Sequence, residues 1–261
     1  QSSLSSDPQQ IIACLQPVHL HATRDHLILM AQNQIDLTLE ESRKLLDLAL
    51  PYLEEDFDNS ILFQGHYDWF IPAGPFASLA SYSIDQAHGR NIDWWMPHDT
   101  LEAGLGKRWR KLQNEVQMLW HIDDVNAARE EKGLPSINSL WLSGIGKLSD
   151  VKTPSILNQA LNLYGDHPLL AGLSKHLGIP HQETINYSQL VGGFAWLQQP
   201  EAVWPALSNA LFNRELDEIE LIDFPSGKVR HRLFKAKDLI TPSWMFWKKS
   251  IPLSWEAIVK A

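Results

Sequence analysis

Short apolar runs and stretches with helical periodicity alternate along the chain. The runs predict strands over residues 11–15, 27–30, 61–63, 69–71 and 137–142. Pro17 should stop the first of these strands. Two later runs, 219–224 and 228–234, flank a Pro-Ser-Gly sequence and predict a hairpin.

Capping and breaking residues place helices between the strands. Thr38 and Glu41 form a capping box, Gly133 is a helix stop, and Pro168 is a helix start. Helices are expected after Thr38, from Asp99 or Thr100 to Lys132, over 169–178, and over 201–211 with a kink or true start at Pro205. The alternation predicts an α/β fold, a three-layer mixed sheet with helices on both faces.

The longest predicted helix carries more polar side chains than folding alone requires. Its polar positions form two groups: Asn114, Gln117, His121 and Asp124 on one face, and Glu115, Asn126 and Arg129 on another. Two interpretations are open. Arg129 caps carbonyls near the helix C-terminus while Asn126 bonds a neighbouring loop. Alternatively, Asn126 and Arg129, one turn apart, present an amide and a guanidinium to an anionic group.

The strand over 137–142 leads into further candidate positions. Asn138 and Trp141 lie on it, and Gly144 and Gly146 follow in a glycine-rich loop, where α/β folds usually build sites. This loop lacks the spacing of a phosphate-binding P-loop and the third glycine of a dinucleotide-binding fingerprint. The glycines more simply allow a tight exit from the strand, and no cofactor is expected.

Composition narrows the class of partner and the compartment. The net charge of −9 over 261 residues argues against nucleic acid, because phosphate binding needs a basic surface. No apolar run approaches the roughly 18 residues of a membrane span. The single cysteine, Cys14, gives no sign of an oxidising compartment. We expect a cytoplasmic protein, with residues 1–10 as an exposed tail left where a longer chain was trimmed, and 11–261 as a single α/β domain.

Two other kinds of site have a signal in the sequence. His19 and His21 alternate on a strand, with His26 close by, but a zinc site needs a third ligand and a second shell. Edge-strand histidines are the simpler interpretation, and no metal ligand is assigned. The 11 tryptophans favour a carbohydrate-binding module only if exposed rings stand in a row, and these are scattered along the chain.

The stretch from residue 114 to residue 146 resembles a known family. It consists of Asn114-Glu115-x-Gln117-Met118, then Val125-Asn126-x-x-Arg129-x-x-x-Gly133, then Pro135-x-Ile137-Asn138-Ser139-Leu140-Trp141-Leu142-x-Gly144-x-Gly146. With Pro17-Val18-His19-Leu20 near the start and Trp247-Lys248 near the end, the chain is similar to uncharacterised bacterial proteins known as RpfE-type regulatory proteins. The resemblance covers nearly the whole chain, and those proteins usually carry a longer N-terminal region.

That family is in turn similar to archaeal-type cofactor-independent phosphoglycerate mutases of the alkaline phosphatase superfamily. The resemblance implies an alkaline-phosphatase-like fold that lacks its N-terminal part. Those enzymes hold two divalent metals with Asp and His and use a Ser or Thr nucleophile. Here Asp123-Asp124 stands where their motif has His-Pro, Gln16 stands where the first family has Asp, and Phe224 stands in place of a possible histidine. The resemblance therefore implies an inherited fold without the phosphotransfer chemistry, and no catalytic residue is assigned.

Two functions follow as expectations. The first is a non-catalytic regulatory or ligand-binding protein on a phosphoglycerate-mutase-like fold, whose partner is a small anionic ligand or another protein. Its candidate binding residues are Asn114, Glu115, Gln117, Asn126, Arg129, Asn138, Trp141, Gly144 and Gly146. The alternative is a metal-dependent phosphomutase or phosphatase acting on small phosphorylated metabolites.

Overall fold

The computed structural model describes residues 7–30, 32–57, 61–185, 190–197, 199–224, 228–239 and 254–260. The chain divides into two compact units, Gln1–Val151 and Lys152–Ala261. The expectation of a single domain over residues 11–261 stays a prediction. No helix among the described residues is both long and apolar enough to cross a membrane.

The first unit combines a sheet with two long helices and several short elements. In chain order these are β1 (Ile11–Val18), β2 (Leu20–Ala22), β3 (Leu27–Leu29), α1 (Gln32–Ile35), α2 (Leu39–Phe57), β4 (Phe63–Gln64), β5 (Trp69–Pro72), β6 (Leu79–Ala80), α3 (Ile84–Ala87), β7 (His98–Asp99), α4 (Leu105–His121), α5 (Asp124–Glu131) and β8 (Ser139–Lys147). The strands expected near 11–15, 27–30, 69–71 and 137–142 are confirmed.

The main sheet of this unit is antiparallel, in the order β4-β5-β1-β8. Ala13 and Leu15 of β1 are fully buried and join one hydrophobic core with residues of α2 and α4. Cys14 and Gln16, which alternate with them, are only partly buried. One face of the sheet is therefore covered by α2 and α4, as the period-two pattern of β1 requires.

The expected stop at Pro17 is wrong, because β1 continues to Val18. Pro17 pairs with Leu140 of β8, whereas the pairing with β5 covers only Ile12–Leu15. Beyond Leu15 the β5 side of the strand carries no ladder, so a residue without an N–H is tolerated there.

The single helix expected up to Lys132 is also wrong, because α4 and α5 are separate helices. Asp123 is the N-cap of α5, and its carboxylate accepts a hydrogen bond from the N–H of Val125 at 2.8 Å. The side chain of Asn126 donates to the carbonyl of Trp120 at 2.8 Å, near the end of α4, where carbonyls lack helical partners. The periodicity continues across the break, which is why the pattern alone predicts one helix.

The glycine-rich loop expected after residue 142 is part of a strand. β8 continues to Lys147, and Ser139–Ser143 are buried. The register with β1 shifts between Cys14↔Ser143 and Ile12↔Gly146, and Gly144 has φ 62°. Gly144 therefore forms a β-bulge, in a backbone conformation that costs glycine little.

The second unit contains β9 (Asn162–Tyr164), α6 (Pro168–Leu177), β10 (His181–Gln182), β11 (Gly193–Ala195), α7 (Pro200–Phe212), β12 (Glu218–Asp223), β13 (Arg230–Lys235) and α8 (Trp255–Lys260). Strands β10, β9 and β11 form a parallel sheet, and β12 pairs with β13 in antiparallel fashion. The helix opened by Pro168 and ended by Gly178 is confirmed. The predicted turn at residues 225–227 lies outside the described residues. Both units contain helices and several separate sheets, which confirms the expected mixed α/β class, and the three-layer arrangement stays a prediction.

Candidate functional site

Two of the candidate residues, Gln117 and Asn138, meet in a cleft of about 350 Å³ in the first unit. The cleft is lined by Gln117, Met118, His121, Ser136 and Asn138. Gln117 and His121 are one turn apart near the end of α4, and Ser136 and Asn138 belong to the segment that enters β8. The cleft thus lies between the last turn of a helix and the start of a buried strand.

The polar side chains of this cleft differ in how far their hydrogen-bonding groups are used. Asn138 accepts from the N–H of Leu20 at 2.7 Å and donates to the carbonyl of Leu20 at 3.0 Å. No described residue makes a hydrogen bond to the side chain of Gln117, His121 or Ser136. The amide of Gln117, the imidazole of His121 and the hydroxyl of Ser136 can therefore form further hydrogen bonds at the cleft surface.

His19 binds the main chain of Ser136, one of the residues that line the cleft. Its Nδ1 donates to the carbonyl of Ser136 at 2.6 Å, which assigns the proton to that nitrogen. Burial lowers the pKa of His19 below its ordinary value, although the bond to Ser136 opposes the shift. His19 is therefore neutral at neutral pH and acts as a donor to the main chain.

Asn126 does not reach the cleft surface. It is 5% exposed, and its amide donates to the carbonyls of Trp120 and Ile137, both at 2.8 Å. Its oxygen accepts from the N–H of Ile137 at 2.7 Å. Asn126 thus pairs with both backbone groups of Ile137, as a neighbouring strand would.

Arg129 is 0% exposed, and its guanidinium binds groups of the protein. It donates to the carbonyl of Pro135 at 2.8 Å and to the carbonyls of Ile35 and Asp36 at the end of α1. It also forms an ion pair with Glu41 at 3.0 Å. Both groups of the expected Asn126–Arg129 anion site are therefore directed at internal partners, and their role towards a ligand stays a prediction.

Glu41 connects Arg129 to the N-terminus of α2. Its carboxylate accepts from the N–H and hydroxyl of Thr38, at 2.8 and 2.9 Å, which confirms the expected capping box. Burial raises the pKa of Glu41, but the bonds from Thr38 and the charge of Arg129 outweigh it, so the pKa lies below its ordinary value. Glu41 is therefore ionised when it pairs with Arg129.

The other candidate residues lie apart from the cleft lining. Asn114 is exposed on α4, and Glu115 forms an ion pair with Lys111 at 3.4 Å. Trp141 is buried and donates from its indole to the carbonyl of Tyr82 at 2.7 Å. Gly144 and Gly146 lie in β8 and offer no loop to a ligand.

Three lining residues were not among the sequence candidates: Met118, His121 and Ser136. His121 had a signal, because it lies four residues after Gln117 on the same predicted helix face. Ser136 had none, since only the fold brings the entry of β8 beside the last turn of α4.

A larger cleft of about 770 Å³ lies between α2 and α5. Its charged lining residues are Glu40, Glu41, Lys44, Asp47, Asp123, Asp124 and Lys132. Glu40 pairs with Lys44 at 2.8 Å, and Glu41 is taken by Thr38 and Arg129. Across the part of the chain that the structure describes, His, Cys, Asp and Glu side chains form no group of three that could hold a metal ion.

The fold is similar to that of two solved structures. A cofactor-independent phosphoglycerate mutase from Thermoplasma acidophilum aligns with 69% of this chain and 50% of its own, at 16% identity and a TM-score of 0.39. The PH0037 protein from Pyrococcus horikoshii aligns with 72% of this chain and 43% of its own, at 10% identity and a TM-score of 0.37. This chain thus spans about half the length of those proteins. No family model matches the sequence, and no curated protein does.

Proposed function

We propose that the protein is a non-catalytic regulatory protein that binds a small anionic ligand in the cleft beside the last turn of α4. The observation that carries this proposal is the convergence of Gln117, His121 and Ser136, whose side chains bind no described residue. Polar groups at the mouth of a concave site usually fix the orientation of a ligand. The volume of about 350 Å³ suits a metabolite rather than a larger molecule.

The donors of the cleft favour an anion over a cation. The amide of Gln117, the hydroxyl of Ser136 and a ring N–H of His121 can all donate hydrogen bonds. None of the described residues that line the cleft is acidic. Met118 adds an apolar contact for the carbon skeleton of the ligand.

The non-catalytic assignment rests on the sequence. Asp123-Asp124 stands where the related phosphoglycerate mutases have His-Pro, and Asp123 serves as the N-cap of α5. The proposal includes the RpfE-type kinship, a three-layer alkaline-phosphatase-like arrangement and a cytoplasmic, bacterial setting. We further propose that binding of the ligand in the cleft is what gives the protein its regulatory role.

Thermal shift and calorimetry with inorganic phosphate and 3-phosphoglycerate test the proposal. A probe at a hundred times its dissociation constant adds about 2.7 kcal/mol to the free energy of unfolding. We expect this gain in the wild type and its loss in Gln117→Ala/His121→Ala. His176→Ala is the matched control, because it removes an exposed imidazole from the last turn of α6.

Two results would contradict the proposal. If the double variant binds phosphate or 3-phosphoglycerate as tightly as the wild type, the cleft is not the site. If the wild type converts 3-phosphoglycerate in the presence of Mn²⁺, the protein is an enzyme and the non-catalytic assignment is wrong.

A further inference from the structure

The cleft beside the last turn of α4 is lined by only one side chain that can carry a positive charge. Four of its described lining residues have no group that ionises near neutral pH: Gln117, Met118, Ser136 and Asn138. The fifth is His121, whose imidazole becomes a cation when its second ring nitrogen takes up a proton. This side chain is exposed, so it exchanges protons directly with water.

The neighbours of His121 on its own helix are uncharged. The positions three and four residues before it on α4 are Met118 and Gln117. The nearest acid on this helix, Glu115, pairs with Lys111 at 3.4 Å. Lys111 is ten residues before His121, which corresponds to about 15 Å along the helix axis.

The charged side chains of α5 nearest to this cleft have other contacts. Asp123 is the N-cap of α5, and both Asp123 and Asp124 line the larger cleft between α2 and α5. Arg129 is 0% exposed and pairs with Glu41 at 3.0 Å. The charge available to a ligand in the smaller cleft therefore depends on His121.

Two further histidines lie near the cleft but do not line it. The Nδ1 of His19 donates to the carbonyl of Ser136, and burial lowers the pKa of His19, so this ring takes up a proton only at a lower pH than an ordinary histidine. The ring of His21 lies 6.0 Å from that of His19 and is exposed on β2. Neither is among the lining residues, so His121 is the histidine that a ligand in the cleft would contact.

We propose that anion binding in this cleft is linked to protonation of His121, so that the protein binds its ligand at mildly acidic pH and releases it as the pH rises. This step rests on the proposed function and adds the condition under which the site is occupied. The imidazolium gives the anion a charge-assisted hydrogen bond, which is about twice as strong as a neutral one. His121 also lies in the last turn of α4, where a cation is favoured.

The size of the effect follows from the contact between the anion and the ring. An opposite charge within about 4–6 Å changes the proton affinity of an ionisable group by about ten- to a thousandfold. Linkage is reciprocal, so the anion should bind the protonated cleft at least about tenfold more tightly than the neutral one. The charged form exists below the pH at which the histidine titrates, in the range of about pH 5 to 8, so affinity rises as the pH falls.

Calorimetric titration with sodium sulfate at constant ionic strength tests this linkage. Sulfate keeps both of its charges between about pH 5.5 and 8.5, whereas phosphate itself titrates in this range. We expect the wild type to bind sulfate at least about tenfold more tightly at pH 5.5 than at pH 8.5. His121→Gln keeps a hydrogen-bond donor that cannot be charged, so it should bind no more tightly at pH 5.5 than at pH 8.5. His21→Gln is the matched control, because it removes an exposed imidazole that does not line the cleft, and it should keep the tenfold difference.

The outcomes separate this inference from the proposed function. If the wild type binds sulfate equally well at both pH values, binding is not linked to protonation, and the proposed function still stands. The inference is also overturned if His121→Gln keeps the tenfold difference or if His21→Gln loses it. Absence of sulfate binding at pH 5.5 overturns it as well, and the proposed function fails with it only if phosphate and 3-phosphoglycerate do not bind either.

Discussion

Replacing Arg129 with methionine removes four hydrogen bonds from the interior of the first unit. Methionine keeps much of the length of the side chain, so the change deletes the charge and the donors more than it opens a cavity. The carboxylate of Glu41 loses its cationic partner, and the carbonyls of Pro135 and Ile35 lose a donor. If Arg129 instead serves a ligand, the same change should reduce binding and leave stability almost unchanged.

The expected cost follows from the burial of the pair. Breaking a buried ion pair by removing one partner costs about 3–5 kcal/mol. The side chain of Glu41 is 17% exposed, so water takes over part of its solvation, and Thr38 still binds it. We therefore expect a loss of about 3–4 kcal/mol in the free energy of unfolding. For a domain of about 150–250 residues each kcal/mol lowers Tm by about 2–4 °C, which gives a decrease of about 6–16 °C.

Urea denaturation followed by tryptophan fluorescence and circular dichroism measures this loss. Glu41→Gln and the double variant complete a cycle, and we expect the two changes to be coupled by about 1–3 kcal/mol because the groups touch. Lys132→Met is the control, since it removes an exposed cation just after α5. A loss below about 1 kcal/mol for Arg129→Met, together with lost phosphate binding, would refute a structural role for Arg129.

Three further predictions concern neighbouring features. Asn126→Ala should destabilise by at least about 2 kcal/mol in urea, since it leaves backbone groups of Ile137 unpaired inside the protein; a neutral change would contradict this. Gly144→Ala should lower the free energy of unfolding by about 1–2 kcal/mol, because alanine is strained at the positive φ of this position, whereas Gly146→Ala should be nearly neutral. Equal melting temperatures of the two variants would contradict this. The pKa of Glu41 in the folded protein lies below its ordinary value of 4.5, so its ionised carboxylate stabilises the fold above pH 4.5. This stabilisation is lost as the pH falls through the folded-state pKa. Glu41→Gln should therefore flatten the acid limb of a curve of unfolding free energy against pH.

Local signals predicted the elements whose boundaries depend on neighbouring residues. The capping box at Thr38 and Glu41 forms as expected, and so does the helix between Pro168 and Gly178. These features depend on side chains within a few residues of one another. Their geometry is therefore encoded in the sequence before any tertiary contact forms.

The boundaries that the sequence missed depend on distant partners. The break between α4 and α5 is stabilised by Asn126, which bonds both Trp120 and Ile137. The bulge at Gly144 exists only in the register with β1. The candidate residues do not all line one cleft, for a similar reason. The sequence does not distinguish an amide that binds a backbone carbonyl inside the protein from an amide that is accessible to a ligand.

The contacts of the segment from Pro135 to Asn138 give the Asn126-x-x-Arg129 motif a physical meaning. Each residue of this segment has its own anchor: Arg129 binds Pro135, His19 binds Ser136, Asn126 binds Ile137, and Asn138 binds Leu20. Four consecutive residues held in this way form a rigid wall, and Ser136 and Asn138 face the cleft from it. Asn126 and Arg129 therefore help to determine the shape of the cleft, although neither side chain lines it. It follows that a change in ligand specificity should be sought at Gln117, Met118 and His121, which can vary without loosening the wall.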